Sequence, residues 1–166
     1  MSARAVTAAV AAAAVISRDG VYRYSLTRRW CDTTPSLRWI MLNPSRADAT
    51  SDDPTIRRCL GFARTWGYGG IVVHNLFGLR ATNPAELTTH PDPVGRDNDT
   101  WLLATAESHL ATVCAWGAHG HLHHRADIVL GLLRERGLTP MCLGRTHAGQ
   151  PRHPLYIPAN TRLEVL

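Results

Sequence analysis

Strand-like and helix-like segments alternate along this chain, and that alternation restricts its fold more than any other feature. Four short apolar stretches are typical of buried strands, namely 37–42, 71–77, 112–116 and 138–143. Segments with helical spacing or helix-end signals lie between them, namely 54–66, 97–110 and 124–136. Such an alternation predicts an α/β fold, a three-layer sandwich with a central, mainly parallel four-stranded sheet and helices on both faces.

The N-terminal part predicts a β-hairpin ahead of this sheet. Asp19-Gly20 lies between two alternating segments, which is a hairpin turn signal, so we expect a hairpin at about 14–26. The alanine-rich stretch from Ala5 to Ile16 also resembles a secretory leader, but it continues directly into the hairpin. A length of 166 residues fits one domain at roughly 150 residues per domain. We therefore expect a single domain, 1–166.

The composition of the chain is typical of a basic, soluble protein. Lysine is absent, so all 18 cationic side chains are arginines, against 13 acidic ones. Arginine suits bidentate contact with phosphate, which permits nucleic-acid binding. No apolar stretch reaches 18 residues, so we expect no membrane partner. The four cysteines form no Cys-x-x-Cys pair, which predicts reduced, mostly buried thiols in a cytoplasmic monomer; they are Cys31, Cys59, Cys114 and Cys142.

Polar residues that can do chemistry follow the predicted strands. Asn43 comes after the first core strand, Asn75 ends the second, and His153 follows the last in a loop bracketed by prolines. Ligands of parallel sheets bind at the carboxyl ends of the strands. An amide there can read a base edge or orient water, and a histidine can donate to a leaving oxyanion. The alternatives are an Asn-Pro turn, a capping amide and a surface histidine.

A histidine run raises the question of a metal. His119, His121, His123 and His124 lie close in sequence, but no cysteine or carboxylate stands at ligand spacing within the run. A solvated loop or helix start is the better interpretation. The chain also lacks the glycine-rich phosphate-binding motifs and the Gly-x-Ser-x-Gly nucleophile motif. We expect no metal and no cofactor.

The motifs together resemble those of the uracil-DNA glycosylase superfamily. The shared features are the loop after the first strand, the strand that ends in Asn75, the Trp116-Gly117 strand end and the late His153-Pro154 loop, over roughly 37–160. A closer similarity, to a bacterial and phage family of unknown function, covers nearly the whole chain. It rests on the motifs LNPS, DDPTIRRC, GYGG, NLF, RATNP, PVGRDND, AWG and GQPRHPLY.

The superfamily resemblance implies a role for several residues. It places Asn43 where water is positioned, Asn75 where the flipped base is read, and His153 opposite the departing base. Leu155 and Tyr156 would lie in the loop that wedges into the duplex. Well-known members carry Asp where this chain has Asn43. The missing carboxylate could come instead from Asp48, Asp52 or Asp53 of the same loop, and we assign it to Asp53. The remaining candidates are Pro44, Ser45, Phe77 and Arg80 for substrate, and Arg46, Arg145 and Arg152 for DNA.

These residues predict a DNA glycosylase without a cofactor. It would hydrolyse the N-glycosidic bond of a flipped, modified or mismatched pyrimidine, in phage DNA modification or in defence against it. Two alternatives stay open. The chain could process a free nucleoside or nucleotide of modified-base metabolism, or it could be a catalytically inactive DNA-binding module with the same fold.

Overall fold

The computed structural model describes residues 11–106 and 110–166. Its strands are β1 Ala11–Ile16, β2 Arg23–Arg29, β3 Ser36–Met41, β4 Gly70–Asn75, β5 Thr112–Cys114, β6 Met141–Cys142 and β7 Glu164–Val165. Its helices are α1 Pro54–Thr65, α2 Glu86–Thr89, α3 Asn98–Ala106 and α4 Arg125–Glu135. Two 3-10 segments, Ala118–His124 and Pro154–Tyr156, precede α4 and follow β6.

The strands form one mixed sheet in the order β1-β2-β4-β3-β5-β6-β7. β3 lies parallel to β4 and β5, and β5 lies parallel to β6. The outer strands β1, β2 and β7 pair antiparallel. The predicted α/β class is confirmed, but the sheet has seven strands rather than four. The hairpin adds two because Leu26 of β2 pairs with Val73 of β4, and the C-terminal tail adds one by pairing with β6.

The alternation of side chains along β3 separates two cores. Trp39 lies on the side of α1 and packs in the same cluster as Phe62. Ile40 lies on the other side, with Leu102 of α3 and Val129 of α4. Because successive strand residues point to opposite faces, a strand covered by helices on both sides is apolar throughout. Helices thus cover both faces of the sheet.

Local sequence signals account for most element ends. Asp53 caps α1 by accepting a hydrogen bond from the amide of Ile56 at 2.8 Å, and Pro54 is the first residue of the helix, where the predicted segment 54–66 begins. The predicted hairpin is present and extends further than expected, to 11 and 29. α3 is described over Asn98–Ala106, and 107–109 of the helix predicted over 97–110 lie outside the described residues, as does the start of the Ala5–Ile16 stretch. Three cysteines are buried, Cys31 is partly exposed, and all four are free thiols.

His74 of β4 is fully buried next to β2, which predicts that the fold is sensitive to acid. The Nδ1 of His74 lies 3.1 Å from the carbonyl oxygen of Tyr24. Burial lowers the pKa of His74 from its ordinary 6.5 to about 4. The neutral ring therefore stabilises the fold fully above pH 6.5, and this stability is lost as the pH falls from 6.5 towards 4.

We expect the free energy of unfolding to drop by about 3 kcal/mol through this window because of His74. Urea denaturation at a series of pH values measures it. Because His74→Leu lacks the titrating ring, its free energy of unfolding should fall less steeply between pH 6.5 and 4 than that of the wild-type protein. The same pH dependence in both proteins would contradict the assignment.

Candidate functional site

A cavity of about 470 Å³ opens at the carboxyl ends of the central strands. Asn43 follows β3, Asn75 ends β4, Trp116 follows β5, and His153 comes from the loop after β6. The structure thus brings Asn43, Asn75 and His153 into one pocket. The roles that the resemblance implies for them remain predictions.

Asn75 carries the most unusual side chain of this pocket. Its exposed fraction is 1%, and neither its Nδ2 nor its Oδ1 has a hydrogen-bond partner among the described residues. Its backbone carbonyl accepts a hydrogen bond from the Nδ2 of Asn98 at 3.0 Å. A buried amide without partners costs roughly 1–3 kcal/mol, so the fold gains nothing from it. A ligand with a donor and an acceptor side by side would satisfy both atoms.

Asn43 is held by the loop around it. Its Nδ2 donates to the carbonyl oxygen of Ala81 at 2.7 Å and to that of Pro44 at 3.1 Å. Carbonyl oxygens accept only, so they determine which end of the amide faces them. No described residue donates to the Oδ1 of Asn43. That oxygen can accept a hydrogen bond from a water molecule.

His153 is arranged as a neutral hydrogen-bond donor. Its Nδ1 accepts from the backbone amide of Leu155 at 3.3 Å, which leaves the proton on Nε2. Burial lowers the pKa of His153, and the negative charge of Asp53 opposes that shift. At neutral pH the ring is therefore uncharged, with one N–H free to donate.

Arg58 of α1 fastens the loop that carries His153. Its Nε donates to the carbonyl oxygen of Pro154 at 3.2 Å, and its Nη2 donates to that of Ile157. Pro154 and Ile157 are buried, whereas Leu155 is 38% and Tyr156 83% exposed. Both exposed side chains line the pocket. The anchoring of this segment therefore rests on Arg58, Pro154 and Ile157, and it leaves Leu155 and Tyr156 at the surface.

One of the three candidate carboxylates reaches the pocket. Asp48 accepts hydrogen bonds from the amides of Thr50 and Ser51, and Asp52 forms an ion pair with Arg28 at 2.9 Å. Asp53 lines the pocket while its Oδ1 caps α1. Its second oxygen is not needed by the cap. Asp53 is therefore the carboxylate that can act on a ligand.

Replacing Asp53 with asparagine separates its charge from its capping. Asparagine caps helices as well as aspartate does, so α1 should keep its stability. Loss of the charge removes the influence that raises the pKa of His153, and we expect that pKa to fall further. An NMR titration of the imidazole measures it, with Asp48→Asn as the control. The same His153 pKa in both variants would show that Asp53 does not act on this ring.

Three substrate-binding predictions are not supported by the placement of the residues. Phe77 is fully buried in the core and contacts His123 edge-on, with ring centroids 5.9 Å apart. β4 ends at Asn75, so Phe77 no longer follows the alternation that directs Asn75 into the pocket. Pro44 is buried and offers its carbonyl to Ala81. Arg80 lines a neighbouring pocket, whereas Ser45 borders both.

The arginines predicted to bind DNA lie at the surface on two loops. Arg46 is exposed and borders the neighbouring pocket with Arg80. Arg145 and Arg152 are exposed. They flank a tight loop that is closed by an antiparallel β-bridge between Arg145 and Pro151. Contact with phosphate remains a prediction for all of them.

Trp116, which the sequence marks only as a strand end, and Arg23 also line the pocket, and the sequence assigns no site role to either. Trp116 is buried and its Nε1 donates to the Oε1 of Gln150 at 2.8 Å. Gly120 packs against it, and a Cβ there would lie 2.1 Å from the indole Cδ1. Arg23 enters from β2 and is 2% exposed. The sequence signal for Arg23 is weak, since it consists of a charged residue at the start of a hairpin strand.

The histidine run does not assemble a metal site in the part of the chain that the structure describes. No group of three or more His, Cys, Asp or Glu side chains there is placed to hold an ion. His119 lines the pocket, and His123 and His124 adopt left-handed backbone angles, with φ of 52° and 54°.

Within the described ranges, no helix is long and apolar enough to cross a membrane.

Comparison with known proteins yields one match. A protein-family model described as "Protein of unknown function (DUF1643)" matches residues 23–155. No curated protein and no solved structure matches the chain. The matched residues extend from the start of β2 to Leu155. They include every residue that lines the pocket except Tyr156. It agrees with the expected similarity to a family of unknown function and leaves the glycosylase resemblance a hypothesis.

Proposed function

The chain belongs to the DUF1643 family, and we propose that it is a DNA glycosylase acting on a flipped, modified or mismatched pyrimidine. The observation that carries the proposal is the amide of Asn75, buried without partners in the pocket that also holds Asn43 and His153. A pyrimidine edge presents a ring nitrogen next to a carbonyl or amino group, so it satisfies both ends of that amide. The pocket volume of about 470 Å³ is in the range of small-molecule sites.

Each polar side chain then has a role in hydrolysis. The Oδ1 of Asn43 orients a water, whose oxygen bonds to C1′ of the sugar as the C1′–N bond breaks. The electron pair of that bond stays with the base. The Nε2–H of His153 donates to the base oxygen on which negative charge grows. The proton that the water loses passes to Asp53 or to solvent.

Access to a base in duplex DNA requires the nucleotide to leave the stack. Leu155 and Tyr156 stand exposed at the pocket mouth, where one of them can fill the space that the base vacates. The exposed Arg145 and Arg152 lie just before this segment and suit contact with flanking phosphates. These contacts position the protein without reading sequence.

Leu155→Ala should slow base release more for a paired target than for a mismatched or single-stranded one. The wedge compensates for unstacking, which costs a few kcal/mol in a paired duplex and less where pairing is already lost. Single-turnover rates on matched paired and unpaired substrates measure the ratio. If Leu155 only packs on the core, both rates should change equally and the melting temperature should drop.

The proposed function is tested by incubating the protein with a panel of modified and mismatched DNAs, followed by alkali cleavage at abasic sites. Strand cleavage in at least one member of the panel is the expected result. Two further measurements separate the alternatives. Hydrolysis of nucleosides or nucleotides, without any cleavage of DNA, would indicate an enzyme of free nucleotides. Binding of duplex that weakens steeply with salt, without cleavage, would indicate an inactive DNA-binding module.

A further inference from the structure

Four arginines are buried among the described residues, and three of them are fully accounted for by the fold. Arg28 pairs with Asp52, and Arg125 pairs with Asp99 at 2.6 Å. Arg38 has no carboxylate partner, but each of its nitrogens donates to a neutral acceptor, either Thr112 or the carbonyl of Leu102. A buried guanidinium normally finds such partners because desolvating it is costly.

Arg23 differs from these three. Its Nη1 donates to the carbonyl oxygen of Ala47 at 2.6 Å, but its buried Nε has no partner among the described residues. No described carboxylate lies within 4.0 Å of its guanidinium, since the ion pairs found are those of other arginines. Asp53 acts on it only through longer-range attraction. Arg23 is also the one of the four that lines the pocket.

A positive charge placed in this way is costly unless the ligand neutralises it. Burial lowers the pKa of Arg23 to about 10, so the side chain is still charged at neutral pH. The planar guanidinium matches the geometry of an oxyanion, and such charge-assisted hydrogen bonds are about twice as strong as neutral ones. The same pocket holds the unpartnered amide of Asn75, which reads a neutral edge.

We propose that the ligand of this pocket carries an oxyanion that binds Arg23, either a carboxylate on the base or a phosphate of the nucleotide. The inference names the substrate class of the proposed glycosylase, and it rests on that function only in taking the ligand to be a pyrimidine. Asn75 would hold the base edge while Arg23 selects for the acidic group. A plain pyrimidine base would leave Arg23 uncompensated and should bind more weakly.

Isothermal titration calorimetry with two pairs of probes tests the proposal. The first pair is uracil and 5-carboxyuracil, and the second is deoxyuridine and its 5′-monophosphate. In at least one pair, the charged member should bind the wild-type protein about tenfold or more tightly, since a hydrogen bond to a charged group is worth roughly 1.5–3 kcal/mol. A preference in the first pair identifies a carboxylate on the base, and a preference in the second identifies a phosphate.

Arg23→Gln should abolish this preference. Arg134→Gln is the matched control, because Arg134 is exposed on α4 outside the pocket and its loss changes the net charge equally. Thermal melting reports whether each variant folds. If Arg23→Gln does not fold, Arg23→Lys keeps the charge without the planar fork and should retain only part of the preference.

Equal binding of charged and neutral probes by the wild-type protein would overturn the inference, and so would a preference that survives in Arg23→Gln. These outcomes are distinct from failure of the proposed function. Base release from DNA without any preference for the charged probe would leave the glycosylase proposal standing alone. A preference that depends on Arg23, with no base release from any DNA, would support the oxyanion site and contradict the proposed glycosylase activity.

Discussion

His153→Ala should slow base release about 10²–10³-fold at saturating enzyme, because removing one donor to a developing oxyanion costs that much in other enzymes. The variant should remain folded. The ring is only partly buried, and among the described residues its one hydrogen bond is the one that Nδ1 accepts from the Leu155 amide. Single-turnover kinetics isolates the chemical step from product release. His121→Ala is the control, since His121 is exposed and bonds only to the nearby carbonyl of Ala118.

The pH dependence of the rate of base release provides an independent test of the role of His153. Since burial lowers the pKa of His153, the neutral form dominates at pH 7 and above. On acidification the ring gains a positive charge and a proton on Nδ1, which can then no longer accept the hydrogen bond from the Leu155 amide that orients the ring. The rate of the wild-type protein should therefore fall as the pH drops through this lowered pKa. The fall should be absent in His153→Ala, and an unchanged profile would show that another group titrates.

Asn75→Leu should raise the stability of the protein while nearly abolishing base release. Leucine has the same branched shape and removes two buried polar atoms that have no partners, which is worth roughly 1–3 kcal/mol. The loss of both hydrogen bonds to the base edge should slow release about 10²–10³-fold, as for other sites built to bond a polar substrate. Urea denaturation and single-turnover kinetics on the same preparation measure the two effects.

Asn98→Leu provides the contrast in stability. Asn98 is equally buried and its Oδ1 also lacks a partner among the described residues, but its Nδ2 donates to the carbonyl oxygens of Asn75 and Leu76 at 3.0 and 3.2 Å. Its replacement should therefore destabilise the protein. If Asn75→Leu also lost stability, or kept full activity, the amide of Asn75 would not be a ligand-reading group.

The place of the pocket could be predicted because it depends on topology. In a parallel sheet the helices between strands carry the chain back to the edge where the strands begin, so all the strands end at the opposite edge and the residues just after β3, β4 and β5 meet there. Asn43 and Asn75 were placed in this way, and His153 by its position in the loop after the last core strand. The cap at Asp53 was equally predictable, since the hydrogen bond to Ile56 is local.

Other features depend on contacts between distant segments. Arg23 reaches the pocket because the hairpin docks beside β4, a pairing that no local pattern determines. β7 has two residues and exists as a strand only because the tail returns to Met141. Phe77 lies outside the pocket for a related reason: its apolar stretch continues the sequence of β4, but the strand itself ends at Asn75. An unpartnered amide such as that of Asn75 can be recognised only once its neighbours are known.

Mass spectrometry of the base released from DNA tests the central claim most directly. The wild-type protein is incubated with the panel of modified and mismatched DNAs, and free bases are quantified beside the same reactions with His153→Ala and Asn75→Leu. We expect one modified pyrimidine to be released by the wild-type protein and about 10²–10³-fold more slowly by both variants. No free base from any DNA, or equal release by all three proteins, would contradict the account.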